Sequence, residues 1–102
     1  MNHAKTLCSI RLTVNNHPGV MSHVCGLFTR RAFNMEGILV TPCKNGQEAD
    51  VWLMVHADDR LEQMVRQLKK LHDAKSISVR PVDAETFDRL DACMESLELE
   101  IA

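Results

Sequence analysis

The chain has 102 residues, of which 45% are hydrophobic and only 4% aromatic, a length that suits one domain with a core of its own. Its formal net charge is −2 and its isoelectric point is about 6.2, which argues against a nucleic-acid-binding protein. No stretch approaches the ~18 consecutive apolar residues of a membrane span, and the N-terminus lacks a secretory signal pattern. We therefore expect a cytoplasmic protein with no membrane partner.

Charge divides the chain near Asp83. From that residue onward there are seven acidic side chains and one arginine, whereas the first 82 residues carry a net charge of +4. This asymmetry predicts a domain over residues 1–82 and an acidic extension over residues 83–102. The four cysteines are too widely spaced for a zinc or redox motif, so we expect reduced thiols and no metal site: Cys8, Cys25, Cys43 and Cys93.

The first third of the chain predicts a strand followed by a helix. Residues 7–15 (LCSIRLTVN) alternate apolar and polar side chains, which is typical of a strand with one buried face. A helix is predicted over residues 18–31, with Pro18 as its first residue because proline suits that position. Apolar residues recur along it at steps of three and four: Val20, Val24, Leu27 and Phe28.

The remainder predicts two further strands, a helix and a fourth strand. The second strand is centred on residues 38–40 and ends at Pro42, a turn occupies residues 44–46, and a third strand covers residues 49–56. Asp58 or Asp59 is the expected cap of the second helix, with Glu62 completing a capping box. Its apolar stripe comprises Leu61, Met64, Val65, Leu68 and Leu71, and a fourth strand follows over residues 76–82.

This order of elements predicts an α+β, ferredoxin-like βαββαβ fold. It is a four-stranded antiparallel sheet with two helices on one face. The other face of the sheet is expected to carry Arg11, Thr13, Trp52 and Met54. Asp83 is the expected cap of a C-terminal helix whose apolar stripe has no evident partner within this fold: Phe87, Leu90, Met94, Leu97 and Ile101.

The segment VNNHPGVM, residues 14–21, connects the first strand to the first helix. A helix N-terminus has unpaired N–H groups and partial positive charge, so it favours an anion such as a carboxylate. Gly19 leaves the helix start open, and the Asn16 amide can both donate and accept, which suits an amino acid. The alternative interpretation is that Asn16 or His17 simply caps the helix.

The run NNHPGVMSHVCGLFTRRAFNMEGI and the later LEQMVRQLKKL together resemble the ACT domain in small, regulatory subunits of acetohydroxyacid synthase, also called acetolactate synthase. The resemblance covers residues 7–82, and within the family it is strongest to the short enteric subunits. Ala32 stands where most members have glycine. The extra C-terminal domain of longer members is not expected, and the acidic extension is where the resemblance says least.

The resemblance implies a non-catalytic subunit of a homodimer that binds valine between two ACT domains and regulates a catalytic large subunit. Thiamine diphosphate, magnesium and flavin (FAD) would then belong to that subunit, with no cofactor in this chain. The implied effector-binding residues are Asn16, His17, Gly19, Val20, Met21, Asn34 and Ile38. Ile38 also fits a core or interface position, and Asn34 fits a simple turn.

Three alternatives remain beside this interpretation. An enzyme would need a nucleophile or carboxylate pair beside its candidate acid–base groups, and none has a recognisable signature: His3, His17, His23, His56 and His72. An RNA-binding module of the same topology would need stacked aromatics on the open sheet face, where only Trp52 lies, beside Met54. A free-standing ACT-type sensor of a different enzyme is the third. Trp52 and Met54 would either bind the catalytic subunit or pack against the C-terminal helix.

Overall fold

A computed structural model describes residues 7–83 and 85–101. His3 lies outside the described residues, as does the side chain of Ile101. The elements in chain order are β1 (Leu7–Asn15), α1 (Val20–Arg30), β2 (Gly37–Pro42), β3 (Glu48–His56), α2 (Leu61–Lys69), β4 (Ala74–Pro81) and α3 (Glu85–Ile101).

The four strands form one sheet in the order β2-β3-β1-β4, and every neighbouring pair is antiparallel. This confirms the predicted ferredoxin-like fold, in which β2 and β4 form the two edges. The apolar face of β1 and β3 packs beneath α1 and α2 because the alternation of each strand points one set of side chains inward. The largest fully buried side chains come from all four of these elements: Phe28, Ile10, Leu12, Leu53, Met64, Leu68, Val14, Val24, Val51 and Val55.

Both predicted helix starts are wrong. Helix α1 begins at Val20 rather than Pro18, because Gly19 has φ +94° and a helix cannot pass through that conformation. Helix α2 begins at Leu61 after Arg60, with no side-chain cap. Asp58 accepts the N–H of Arg60, one residue before the helix. Glu62 pairs with Arg66 instead of closing a capping box.

Helix α3 lies over the sheet face that α1 and α2 leave open. The Asp83 carboxylate accepts the Glu85 N–H at 3.1 Å, consistent with the predicted cap. Phe87 sits against β2, since a Cβ added at Gly37 would lie 3.1 Å from its Cε1 atom. The stripe beyond Phe87 is exposed, at 37% for Leu90 and 56% for Met94. Among the described residues no helix is long and apolar enough to cross a membrane.

Candidate functional site

The loop between β1 and α1 is fastened to two neighbouring turns. The Asn16 N–H donates to the Gln47 carbonyl at 2.9 Å, and its side-chain Nδ2 donates to the Gly46 carbonyl at 3.3 Å. On the other side, the Asn15 N–H donates to the carbonyl of Asp73 at 2.9 Å. The loop is therefore held between the β2–β3 hairpin and the α2–β4 turn, while Asn16 keeps its side-chain carbonyl as an acceptor.

His17 and Asp73 form an ion pair beside this loop. Nε2 of His17 lies 2.8 Å from Oδ1 of Asp73, and Nδ1 lies 2.7 Å from the Pro18 carbonyl. Nδ2 of Asn15 donates to the same Oδ1 at 3.2 Å. The Pro18 carbonyl and then Asp73 raise the pKa of His17 above its usual 6.5, and hydrogen bonds from His17 and then Asn15 lower the pKa of Asp73. Both shifts favour the charged forms of the two side chains.

The start of α1 is open to a ligand. No side chain caps it, so the alternative in which Asn16 or His17 is the cap is wrong. A Cβ added at Gly19 would meet nothing within 4 Å. The Val20 N–H makes only a long 3.4 Å bond to His17, and no described residue accepts from the N–H groups of Met21 and Ser22. With no acidic side chain in the first turn, these donors favour an anion.

The predicted site residues of this first segment lie together, with different exposures. Asn16, His17 and Gly19 are exposed, and Met21 is half-buried. The side chain of Val20 belongs to the core, at 5% exposure, so only its backbone faces the loop.

Asn34 and Ile38 lie at the other end of the sheet. Asn15 pairs with Glu48 at the start of β3, whereas Gly37 pairs with Met54 near its end. Six residues of strand separate these positions by about 20 Å. Within one protomer the structure therefore does not bring Asn34 or Ile38 to the loop. The Asn34 amide instead donates to the Glu36 carboxylate.

Strand β2 presents an apolar free edge. Ile38, Leu39 and Val40 are 45%, 44% and 42% exposed, and β2 pairs only with β3 on its inner side. An apolar edge strand with unpaired backbone groups is suited to pairing with another strand.

The open face of the sheet carries a polar cluster beside an apolar one. Asp50 accepts from Thr13 at 2.6 Å and from Arg11 at 2.8 Å, and these two bonds, in that order, lower its pKa. The Arg11 guanidinium carbon lies 4.8 Å from the centroid of the Trp52 ring. Next to this stack, a cleft of about 700 Å³ separates the sheet from α3. Its lining includes the apolar residues Ile38, Leu39, Trp52, Met54, Phe87 and Leu90 and the acidic residues Glu36, Asp88 and Asp91.

Trp52 and Met54 both line this cleft. They face α3 across the cleft, which the helix does not fill, and their contact with a catalytic subunit stays a prediction. All four cysteines are free thiols. Within residues 7–83 and 85–101, no three His, Cys, Asp or Glu side chains are grouped to hold a metal ion.

Sequence reasoning did not identify Asp73, which the structure places in contact with the loop through His17 and Asn15. It follows the second helix and has no motif around it. Only the strand pairing could have identified this residue. Antiparallel pairing of β1 with β4 sets Val14 opposite Ala74, which brings Asp73 to the end of β1.

Comparisons with known proteins find related sequences over most of the chain. Residues 10–75 match the sequence family described as the AHAS small subunit-like ACT domain. The chain is 49% identical over 81 residues to the acetolactate synthase isozyme 1 small subunit of Escherichia coli K12, covering 79% of this chain and 84% of that protein. It is 40% identical over 86 residues to a probable acetolactate synthase small subunit of Methanothermobacter thermautotrophicus, covering 83% of this chain and 50% of that one.

Solved structures give the same result. The acetolactate synthase small subunit of Thermotoga maritima superposes with a TM-score of 0.65 at 32% identity, covering 78% of this chain and 49% of that one. The chain thus spans about half the length of the archaeal and Thermotoga proteins. The ACT domain of a GTP pyrophosphokinase from Chlorobium tepidum, at 18% identity and a TM-score of 0.62, shares the fold alone.

Proposed function

Because this chain belongs to the family of small subunit-like ACT domains of acetohydroxyacid synthase, we propose that it is the regulatory subunit of that enzyme in branched-chain amino acid biosynthesis. In this role it binds valine, confers feedback inhibition on the catalytic large subunit and also activates it. The observation that carries the proposal is the uncapped, unobstructed start of α1 at Gly19.

The loop supplies partners for both charged ends of an amino acid. The valine carboxylate would lie against the N–H groups of Met21 and Ser22, where Gly19 leaves space. The Asn16 side-chain carbonyl, which its bond to Gly46 leaves free, would accept from the ammonium group. When protonated, the imidazole of His17 would add positive charge near the ligand carboxylate.

The site would be completed by a second copy of the chain. Asn34 and Ile38 are too far from the loop of their own protomer to take part there. If two β2 strands pair antiparallel across a two-fold axis, the start of one lies beside the end of the other. That end of the sheet carries the loop, so Asn34 and Ile38 of the second protomer would approach it. This homodimer would also cover the exposed apolar edge of β2.

The catalytic subunit would contact the open face around Trp52 and Met54. The cleft there is apolar at its floor and unfilled by α3. Exposed apolar patches of this kind tend to mark interaction surfaces. The valine sites would then lie apart from the face that contacts the catalytic subunit. Valine would therefore act on that subunit indirectly, without touching it. Valine must bind more tightly to the inhibited state than to the active one, because coupling is reciprocal.

The chain itself would be non-catalytic and would carry no cofactor. Thiamine diphosphate, magnesium and FAD would lie on the catalytic subunit.

The most direct test is co-purification with the acetohydroxyacid synthase large subunit, followed by assay of acetolactate formation. We expect a stable complex, a rate above that of the large subunit alone, and inhibition when valine is added. Valine binding without any effect on acetolactate formation would instead support a free-standing ACT-type sensor of another enzyme.

A further inference from the structure

We propose that Asp73 is a positioning residue for the effector loop and that its contact with His17 makes effector affinity depend on pH. This inference rests on the proposed function, because the effector is taken to be valine bound at the start of α1. Affinity is highest when His17 carries a proton and falls when that proton is lost.

The geometry requires a charged imidazole. A carbonyl oxygen can only accept a hydrogen bond, so Nδ1 of His17 must donate to Pro18 at 2.7 Å. The Asp73 carboxylate is likewise an acceptor, so Nε2 must donate at 2.8 Å. A neutral imidazole has one N–H and satisfies only one of these contacts. Loss of the proton therefore breaks one of the two bonds that hold His17.

Both bonds act on the segment that forms the ligand site. Pro18 and Gly19 follow His17 directly, and Gly19 precedes the first helical residue. Oδ1 of Asp73 also accepts from Asn15, and its backbone carbonyl accepts the Asn15 N–H. Asp73 thus contacts the loop at two residues, Asn15 and His17. Deprotonation of His17 both loosens this segment and removes a positive charge near the ligand carboxylate.

Several charged or titratable side chains lie on the elements that surround the loop. Within the described residues, Asp73 is the charged group that acts on His17, and His72 also acts electrostatically on Asp73. The elements around the loop also carry His23, Lys44, Glu48 and Lys75. The pKa of Asp73 is lowered by the hydrogen bonds from His17 and then Asn15, which favours its ionised form as the partner of His17.

The test is calorimetric titration of the full-length protein with valine between about pH 5.5 and 8.5, where valine stays zwitterionic. We expect Kd to rise with pH above the His17 pKa, approaching about tenfold per pH unit if only the protonated form binds. Asp73→Asn keeps one oxygen to accept from His17 and Asn15 but removes the charge, so its profile should shift to lower pH. The ratio of the two Kd values should then be largest at the alkaline end of the range and fall toward its acidic end.

Two further variants complete the design. Asp83→Asn makes the same atomic change at the far end of β4 and should leave the profile unchanged. His17→Gln removes the titrating group and should give a weaker affinity that does not vary with pH, which keeps the test decisive if Asp73→Asn folds poorly. NMR titration of the His17 ring should also show a lower pKa in Asp73→Asn than in the parent.

The outcomes separate the two proposals. If the parent binds valine with the same affinity at every pH, or if the Asp73→Asn profile overlays it, this inference is overturned and the proposed function stands. If the parent binds no valine at any pH, the proposed function fails and this inference falls with it.

Discussion

Phe33 packs edge-on against Phe28 at the end of α1, with ring centroids 5.8 Å apart and planes at 83°. The Phe33 N–H donates to the Phe28 carbonyl at 2.9 Å, and the Ala32 N–H donates to the Thr29 carbonyl at 3.1 Å. These two hydrogen bonds, together with the apolar contact between the Phe28 and Phe33 rings, form a Schellman motif at the C-terminus of α1. The turn that results leads the chain to Asn34 and β2.

Replacing Ala32 by glycine should stabilise the protein. Ala32 has φ +51°, a left-handed conformation that glycine adopts without strain. Relief of strain outweighs the added flexibility of the unfolded chain, so we expect Ala32→Gly to raise the free energy of unfolding by about 0.5 kcal/mol. Urea unfolding measures this. Ala57→Gly, at a residue with no positive φ, should lower it instead; the same sign in both variants would contradict the argument.

Gly19→Asp should abolish the response to valine. The carboxylate would lie where the ligand carboxylate binds, and the two charges repel. The matched control is Gly19→Asn, which has the same shape and the same tolerance of positive φ but no charge. Both variants should lose about 1 kcal/mol of stability from backbone strain. Calorimetry should show a much larger loss of valine affinity for aspartate than for asparagine, and equal losses would place the carboxylate elsewhere.

Asp50 should make the fold sensitive to acid. Its pKa is lowered in the folded protein by Thr13 and Arg11, so its contribution to stability is present above the unfolded value near 3.8 and is lost as pH falls through the folded pKa. Asp50→Asn should cost about 1 to 3 kcal/mol at pH 7 and change less than the parent between pH 5 and 3. Asp59→Asn, on an exposed carboxylate, should retain the acid dependence of the parent. Denaturant unfolding at several pH values measures both.

Trp52→Ala should weaken association with the catalytic subunit while leaving valine binding nearly unchanged. The ring is half-buried between Arg11 and the cleft, so its loss removes the centre of the proposed contact face. We expect at least about a tenfold rise in Kd for the catalytic subunit. Val79→Ala, which removes an exposed apolar side chain on the helix-covered side of β4, is the control. If Trp52→Ala weakens association with the catalytic subunit and valine binding equally, or weakens neither, this assignment is refuted.

The fold could be predicted from the sequence because its signals are local. The alternation along β1 and the helical spacing of Val20, Val24 and Phe28 each identify one element and its buried face. The predicted helix starts were wrong because local backbone geometry sets them. The positive φ at Gly19 delays the start of α1, and Asp58 accepts the N–H of Arg60 ahead of α2. These choices depend on the folded chain and leave little trace in composition.

The site could be predicted only in part. The residue types of loop 16–19 were enough to predict it as a candidate site. Asp73 lies 56 residues after His17 in the sequence, and the pairing of β1 with β4 brings the two together. The separation of Asn34 from the loop likewise follows from strand register rather than from any motif. Contacts of this range require the tertiary arrangement to be known first.

The central claim is that a free amino acid binds the unpaired N–H groups at the start of α1 across a dimer. Titration of ¹⁵N-labelled protein with valine, followed by the backbone amide resonances, tests it most directly. We predict saturable shifts of the Gly19, Met21 and Ser22 amides, with Asn34 shifting at the same valine concentrations although it lies at the other end of its own sheet. Amides at the α1 start that stay unchanged at saturating valine would contradict the account.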